Sequence, residues 1–393
     1  MKLLKLYDGD YPWDVRVEKM LRSLVGAGHA VTLVARNRKA LPRREVRDGV
    51  TLRRLPSFGR AGALLTFPAF ANPVWAAAAW RAARECRPER VIVRDLPLAP
   101  LGLWIARRLR VPAIVDMAEP YPEALRSNWQ FDRLGGLDHV LRSPRAAEAV
   151  ERWVLRRSPR VLVVSPEAGE RLERLGLARE RWTLVGNTPD LARLDCGMPP
   201  SRPLPDAFAG RPLLIFTGIL VGDRGLDVAI AGLAQLGSRS PRPALLVIGD
   251  GPARDRYEAQ ARALGLGADV CFAGWIDHAE LPAWLRRADV GILPFHACTH
   301  IDTTLANKLF DYMALGLPVL ASDARPMRRV LAETHAGVTF RAGDAADFAR
   351  AAASMLDEPA ARRAMGERGR KAAAETYNWS RDAERLLAAV ESP

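Results

Sequence analysis

Cysteine is scarce in this chain of 393 residues: Cys86, Cys196, Cys271 and Cys298 are all there is, with no C-x-x-C spacing. That excludes a disulfide framework and a paired redox motif, and reads as reduced thiols in a cytosolic protein. His296, Cys298 and His300 alternate in one loop, but with no fourth ligand nearby they make a poor metal site. No apolar run reaches membrane-spanning length without a charge or a proline, so no transmembrane helix is expected. Met1 leads straight into a strand pattern, so neither is a signal peptide. The G-x-G-x-x-G fingerprint is missing from the first β-α-β unit, which removes support for a nicotinamide or flavin enzyme. Acidic residues are in deficit: Lys+Arg 58 against Asp+Glu 45 gives a net charge of +13. The surplus suits anionic partners, yet its arginines are dispersed among acids rather than gathered into the basic, aromatic face of a nucleic-acid binder.

Against these absences stand a hydrophobic content of 49% and a length too great for one ordinary domain. Two compact units with large cores are the natural expectation. Lys2 to Tyr7 alternates as a strand, Asp8-Gly9-Asp10 reads as a turn, and Val17, Leu21, Leu24 and Val25 mark a helix before the strand Val31 to Ala35. The loop between offers Asp8, Asp10, Asp14 and Arg16, to handle hydroxyls or to cap the helix. Strands at Val91–Val93 and Ala113–Val115 end in Arg94-Asp95 and Asp116. Ligands gather at the carboxyl ends of parallel strands, so Arg94, Asp95, Asp116, Glu119 and Tyr121 line a candidate cleft wall. Residues 196–211 are proline-rich and aperiodic, the expected linker between domains 1–195 and 212–377. Beyond it strands and helices alternate again, the signature of a second doubly wound parallel sheet. The fold class expected is therefore α/β, with two Rossmann-like halves facing each other.

Between Phe58 and Trp80 the chain turns apolar and aromatic (Phe58, Leu64, Leu65, Phe67, Phe70, Val74, Trp75, Trp80). Arg53, Arg54, Arg60, Arg81 and Arg84 flank it. Pro68 and Pro73 break it too often to span a bilayer. An interfacial patch on an anionic membrane and a buried helical pair fit it equally.

In the second half, Leu305, Leu309, Phe310 and Met313 recur at helical spacing, with Asp302, Thr303 and Thr304 expected to cap the start and Gly316 to end it. Thr304, Asn307, Lys308 and Asp311 share a polar stripe on that helix. A helix N-terminus with a carboxylate further along suits a phosphate at the tip and a sugar hydroxyl at the acid. Three loops follow strands directly: Gly218 to Leu226 with Arg224, Gly249-Asp250-Gly251-Pro252, and Gly274-Trp275-Ile276-Asp277. Their glycines let backbone approach a ligand, Arg224 offers a charged fork to phosphate, and Trp275-Ile276 could bound a flat base.

Taken together these motifs resemble the family-4 nucleotide-sugar glycosyltransferases of GT-B fold, over nearly the whole chain and most closely from Leu213 to Trp379. Gly218, Arg224-Gly225-Leu226, the run Val247–Pro252 and Phe272–Trp275 carry the likeness, and Asn187-Thr188-Pro189-Asp190 and Tyr377-Asn378-Trp379 extend it. Asn307–Ala314 and Asp116–Glu123 are similar to a polysaccharide-building branch. Of two glutamates frequent in the family, the second maps to Asp311 and the first to Thr303. A histidine frequent in the N-terminal half is missing where Asp116–Glu119 stands. The resemblance implies transfer of a sugar from a nucleoside-diphosphate sugar to an acceptor hydroxyl, and the aromatic stretch with the basic charge favours a glycan or polyprenyl-linked acceptor at the cytoplasmic membrane face. The resemblance implies no cofactor, and no Asp-x-Asp pair is placed to hold a metal. Gly218, Arg224, Gly249, Asp250, Gly251, Trp275, Ile276, Thr303, Thr304, Leu305, Asn307, Lys308 and Asp311 would bind the donor. Arg224, Lys308 and the helix tip would stabilise the leaving diphosphate, with Asp116 or Glu119 as the acceptor's base. Asp8, Asp10, Arg16, Arg94, Asp95 and Tyr121 fall on the acceptor side, and a C-terminal helix at 378–391 would pack back on the first domain. A nucleotide-sugar epimerase, a phosphorylase or an inactive membrane-docked scaffold are the rival readings.

Overall fold

Unbroken apolar runs such as Val91–Val93 and Leu213–Thr217 become strands buried on both faces, as parallel sheets covered by helices require. The computed structural model describes residues 1–12, 14–57, 69–131, 142–195 and 198–392. The chain divides into two units, Met1–Arg126 with Gly135–Gly186 and Ser380–Pro393, and Ser127–Leu134 with Asn187–Trp379.

In the first unit, β1 (Lys2–Asp10), β2 (Ala30–Arg36), β3 (Arg44–Arg47), β4 (Val50–Arg54), β5 (Arg90–Arg94), β6 (Ala113–Met117), β7 (Arg160–Val163) and β8 (Trp182–Leu184) form one sheet. Its order is β3-β4-β2-β1-β5-β6-β7-β8, with only β3 antiparallel to its neighbour. Asp8-Gly9-Asp10, expected as a turn, is instead the end of β1: its side chains are polar because Asp8 pairs with Arg36 and Asp10 accepts from the Arg38 backbone at 2.8 Å. Helix α1 (Val15–Gly26) starts at Asp14, whose carboxylate accepts from Arg16 and Val17 N–H. Helices α2 (Pro73–Cys86), α3 (Ala99–Leu109), α4 (Tyr121–Phe131), α5 (Pro144–Arg157) and α6 (Pro166–Arg174) follow in order. The division between units falls inside α4 and again after Gly186, ahead of the linker expected at 196–211. Cys196 and Gly197 lie outside the described residues. After the short α7 (Leu191–Asp195) and seven helices of the second unit comes α15 (Trp379–Glu391), most of which belongs to the first unit. There Asp382 accepts from Gly186 N–H at 2.8 Å and Arg90 donates to the Ala389 carbonyl at 3.1 Å.

The second unit holds β9 (Leu213–Thr217), β10 (Ala244–Ile248), β11 (Val270–Gly274), β12 (Val290–Leu293), β13 (Val319–Ser322) and β14 (Gly337–Phe340). The sheet is parallel, in the order β11-β10-β9-β12-β13-β14. The chain moves outward from β9 to β11, then returns to begin again at β12, so a topological switch point lies between β9 and β12. Its helices are α8 (Leu226–Gln235), α9 (Arg254–Ala263), α10 (Leu281–Leu285), α11 (Asn307–Ala314), α12 (Arg325–Thr334), α13 (Ala345–Asp357) and α14 (Pro359–Glu375).

Helix α14 packs tightly behind α11 because Gly366 meets the Gly316 carbonyl and Gly369 meets Met313. A methyl group at Gly366 would lie far inside contact distance of that backbone oxygen, which cannot swing aside as a side chain would. Gly366→Ala is expected to lower stability by about 1–3 kcal/mol, seen as an earlier melting transition. An unchanged transition would show the α11–α14 contact to be loose.

The aromatic stretch falls partly outside the described residues, since Phe58, Arg60, Leu64, Leu65, Phe67 and Pro68 are among those left out. Three residues of the stretch and its flank are engaged within the fold: Trp75 is fully buried, Arg54 pairs with Glu45 and Arg53 with Glu85.

Candidate functional site

The second unit's candidate site grows from the carboxyl end of β9. Gly218 N–H donates to the Ile248 carbonyl at 2.9 Å, Leu220 N–H to Asp250 at 3.0 Å, Ala253 N–H to Leu220 at 3.0 Å, and Gly249 N–H to Gly274 at 2.9 Å. These bonds knit three glycine loops into one floor. Gly249 has a φ of 132° and lies so close to the Gly218 carbonyl that no side chain fits. Asp250 turns inward on its own loop, accepting from Gly251 N–H at 2.7 Å. Trp275 stands over half exposed beside the half-buried Ile276, an apolar edge at the rim.

Arg224 ends a short 3₁₀ turn, Gly222–Arg224, ahead of α8. Its guanidinium lies 4.9 Å from the centre of the Phe295 ring, and 26% of the side chain reaches solvent. Asp223 locks this turn in place. Its carboxylate accepts from Ser127 Oγ at 2.8 Å and meets His300 Nδ1 at 3.2 Å, while its carbonyl accepts from His296 N–H at 2.9 Å. Burial would raise the Asp223 carboxyl, but His300, Arg224 and Ser127 outweigh it and hold it down to about 2. His296 pairs with Asp227 at 3.0 Å and stacks on Phe131 at 5.1 Å. The alternating His296, Cys298 and His300 therefore brace loops rather than converge on one point, and among the described residues no group of three metal-ligating side chains occurs.

Helix α11 starts later than the sequence suggests. Its first residue is Asn307, preceded by Ala306 with no side-chain cap. Thr303, expected as a cap, is buried and its hydroxyl donates to the Thr299 carbonyl at 2.7 Å. Asp302 caps a different helix, accepting from Arg325 N–H at 3.0 Å as α12 begins. Thr304 and Leu305 lie in the irregular stretch before α11. The first turn at Asn307 and Lys308 is therefore left without a capping side chain, an arrangement that favours an anion. Lys308 Nζ lies 3.7 Å from Asp311 on the next turn, with 30% of its side chain exposed. Tyr312, fully buried against Gly291, accepts from Thr217 N–H at 3.1 Å. Thr217 closes β9, and Gly218 follows it. The Arg224 loop and the Lys308 helix are thus anchored on one strand end.

In the first unit the corresponding switch point lies between β1 and β5. There the structure separates residues that the sequence placed together. Arg16 and Asp116 are both sealed inside: Arg16 Nη2 donates to Asp116 at 2.7 Å and Nη1 to the carbonyls of Val185 and Gly186 at 2.9 and 2.8 Å. Lys5 lies 4.0 Å and Arg94 3.9 Å from the same carboxylate. Burial alone would raise Asp116, yet Arg16, Arg94 and Lys5 together bring it down to about 2. Lys5 in turn is lowered to about 8, chiefly by burial. A carboxylate without exposure, surrounded by three cations, is unsuited to taking a proton from an acceptor. The expectation for Asp116 as base, and for Arg16 as an acceptor contact, is corrected accordingly. Asp8 and Asp10 likewise serve the β1–β2 end.

Asp95 differs. It follows β5 with φ 60° and ψ 174°, a conformation that side chains rarely tolerate and that costs roughly 1–3 kcal/mol. Its carboxylate accepts from Ala118 N–H at 3.1 Å and from Arg94 at 3.2 Å, with a quarter of the side chain exposed. Burial pushes it up to about 7, with Arg94 opposing and Glu119, Asp116 and Asp14 adding to the rise. Glu119 is exposed, and Tyr121 is half-buried with its ring edge to Phe70. Sequence position placed Asp95 and Asp116 alike, since both end strands. The signal that separates them is spatial: α1 inserts Arg16 over Asp116 only.

Two doubly wound parallel sheets, each with loops gathered at strand ends beside a switch point, define the GT-B fold class. Sucrose-phosphate synthase from Thermosynechococcus elongatus matches at a TM-score of 0.76 and 20% identity, over 98% of this chain and 97% of that one. HepE of Anabaena, solved in complex with UDP and glucose, matches at 0.74 and 16% identity over 100% of both chains. The family model described as glycosyl transferase 4-like domain matches residues 14–188, and that described as glycosyl transferases group 1 matches residues 202–372. The chain belongs to these glycosyltransferases, and is a transferase enzyme of GT-B type. A curated relative, glycogen synthase of Mycobacterium tuberculosis, is 27% identical over 297 residues, 75% of this chain and 67% of that protein.

Proposed function

We propose that the chain transfers a sugar from a nucleoside-diphosphate sugar to an acceptor hydroxyl on a lipid-linked or polysaccharide glycan at the cytoplasmic face of the membrane. The observation that carries the donor half is the shared anchorage of Arg224 and the uncapped α11 on the end of β9. The partly exposed guanidinium of Arg224 and the ammonium of Lys308 take the two phosphates, with the α11 tip at Asn307 and Lys308 adding partial positive charge. Asp311, a turn further along the helix, accepts from a ribose hydroxyl, and Trp275 with Ile276 bounds the base. That a structural neighbour is seen with UDP and glucose supports this class of donor.

The bond from the anomeric carbon to the diphosphate breaks as the acceptor oxygen bonds to that carbon. Negative charge grows on the leaving oxygen, where Arg224, Lys308 and the helix tip stabilise it. Side-chain cations meet that charge in this scheme, so no metal is called upon. The acceptor proton passes to Asp95, whose backbone strain, partial exposure and bonds to Ala118 and Arg94 hold it ready.

The sign of the pH effect follows from the raised Asp95 carboxyl. The base works only when ionised, so transfer should rise with pH through about 7 and level off above it. Asp95→Asn is expected to slow transfer about 10²–10⁴-fold and to remove that limb. Release of nucleoside diphosphate from a panel of UDP- and GDP-sugars, with a polyprenyl-phosphate glycan as acceptor, measures both. A pH limb that persists in Asp95→Asn would assign the base elsewhere, with the exposed Glu119 after β6 the other candidate. No turnover of any donor in the panel would refute the transferase chemistry proposed.

A further inference from the structure

In the first unit α2, α3 and α5 lie side by side over one face of the sheet and lead into β5, β6 and β7, which are neighbours. Their carboxyl ends therefore meet along one edge. Each ends in arginine: Arg84 on α2, Arg107 and Arg108 on α3, Arg156 and Arg157 on α5. Helix dipoles account for one such arginine at a time. They do not account for the aromatic side chains set among them. Trp104 is 42% exposed, its ring centre 5.2 Å from that of the half-buried Trp80. Arg108 lies over Trp104 at 5.6 Å and Arg157 over Trp153 at 4.4 Å.

The acids on these helices are engaged away from this face. Glu85 holds Arg44 and Arg53, Glu148 holds Arg126, and Glu151 is buried with Arg171. Among the described residues no carboxylate pairs with Arg84, Arg107, Arg108, Arg156 or Arg157, all of them exposed. Five guanidinium groups with no carboxylate partner among the described residues repel one another along this edge, and an anionic surface relieves that repulsion.

We propose that the outer face of α2, α3 and α5 docks on an anionic lipid bilayer, with Trp104 and Trp80 at the headgroup boundary and the arginines on lipid phosphates. A lipid surface fits better than nucleic acid. Arg108 and Arg157 already cover the indole faces on which bases would stack, and Trp80 packs on Trp104 instead of standing apart. The docking rests on these residues alone, whatever acceptor the enzyme uses.

Co-sedimentation of the full chain with vesicles of phosphatidylglycerol and phosphatidylcholine, against phosphatidylcholine alone, tests it. Binding is expected only to the anionic vesicles, and to weaken with salt. The surface contribution of each arginine corresponds to roughly fivefold in binding, so Arg108→Glu with Arg157→Glu should weaken binding by at least about twentyfold. Trp104→Ser should weaken it about fivefold. Arg262→Glu, at an exposed position of α9 in the other unit, should leave it unchanged. Failure to bind anionic vesicles overturns the proposal, as does equal binding by the face variants at unchanged melting temperature. Equal weakening by Arg262→Glu, or displacement from vesicles by a single-stranded oligonucleotide at the same salt, overturns it too. None of these outcomes bears on donor turnover, which is measured without vesicles.

Discussion

Arg224→Ala is expected to lower sugar transfer about 10²–10³-fold while leaving the melting temperature nearly where it was. The rate effect is large because the guanidinium would meet charge that appears only as the diphosphate leaves, so its removal raises the barrier more than it weakens the bound donor. The stability effect is small because the side chain is partly exposed and its one acidic neighbour, Asp223, keeps Ser127 and His300. Arg224→Lys should recover only part of the rate, since a point charge cannot span two phosphate oxygens as a planar fork does. Steady-state transfer at saturating donor, read beside a melting curve, separates the two effects. A variant that loses rate and melting temperature together would mean that Arg224 holds the loop rather than the substrate.

Asp116→Asn is expected to show the opposite pattern. It preserves shape but leaves Arg16, Arg94 and Lys5 buried around a neutral amide, and breaking a buried ion pair from one side costs about 3–5 kcal/mol. Melting should fall steeply, with transfer lost only to the extent that the chain unfolds. The pH dependence runs the same way. Asp116 is lowered from 3.8 to about 2 in the folded chain. Its contribution is therefore complete above about pH 4 and is lost as the pH falls toward 2. Asp116→Asn should flatten that acid limb. Unchanged melting with abolished transfer would return Asp116 to the role of base.

Much of the fold could be read from the chain because parallel strands are apolar from end to end. Leu213–Thr217 coincides with β9, and Val319–Ala321 lies within β13. The edge strand β3 and its neighbour β4 went unread, since R-E-V-R and V-T-L-R-R are short and carry charges where an apolar run would mark a strand. Lys5, a cation inside an apolar strand, is the local sign of the charged cluster around Asp116 in the middle of the first sheet.

The site was legible in its types and less so in its partners. Asp302, Thr303 and Thr304 are sound capping residues, yet Asp302 serves α12 and Thr303 closes its own turn. Only tertiary contact decides which helix such a residue caps. Phe295 under Arg224, and Ser127 with His300 on Asp223, come from segments far apart in the chain that no spacing rule connects. Asp95 and Asp116 look alike in sequence; one rises to about 7 and the other falls to about 2 because Arg16 reaches only the second.

Equilibrium titration with UDP and with GDP, on the unaltered chain and on Lys308→Ala, tests the donor site most directly. One diphosphate should bind, its nucleoside alone should bind far more weakly, and Lys308→Ala should lose about tenfold or more in affinity through one charge-assisted contact. Diphosphate and nucleoside binding alike, or affinity untouched in Lys308→Ala, would contradict a phosphate site built on the end of β9.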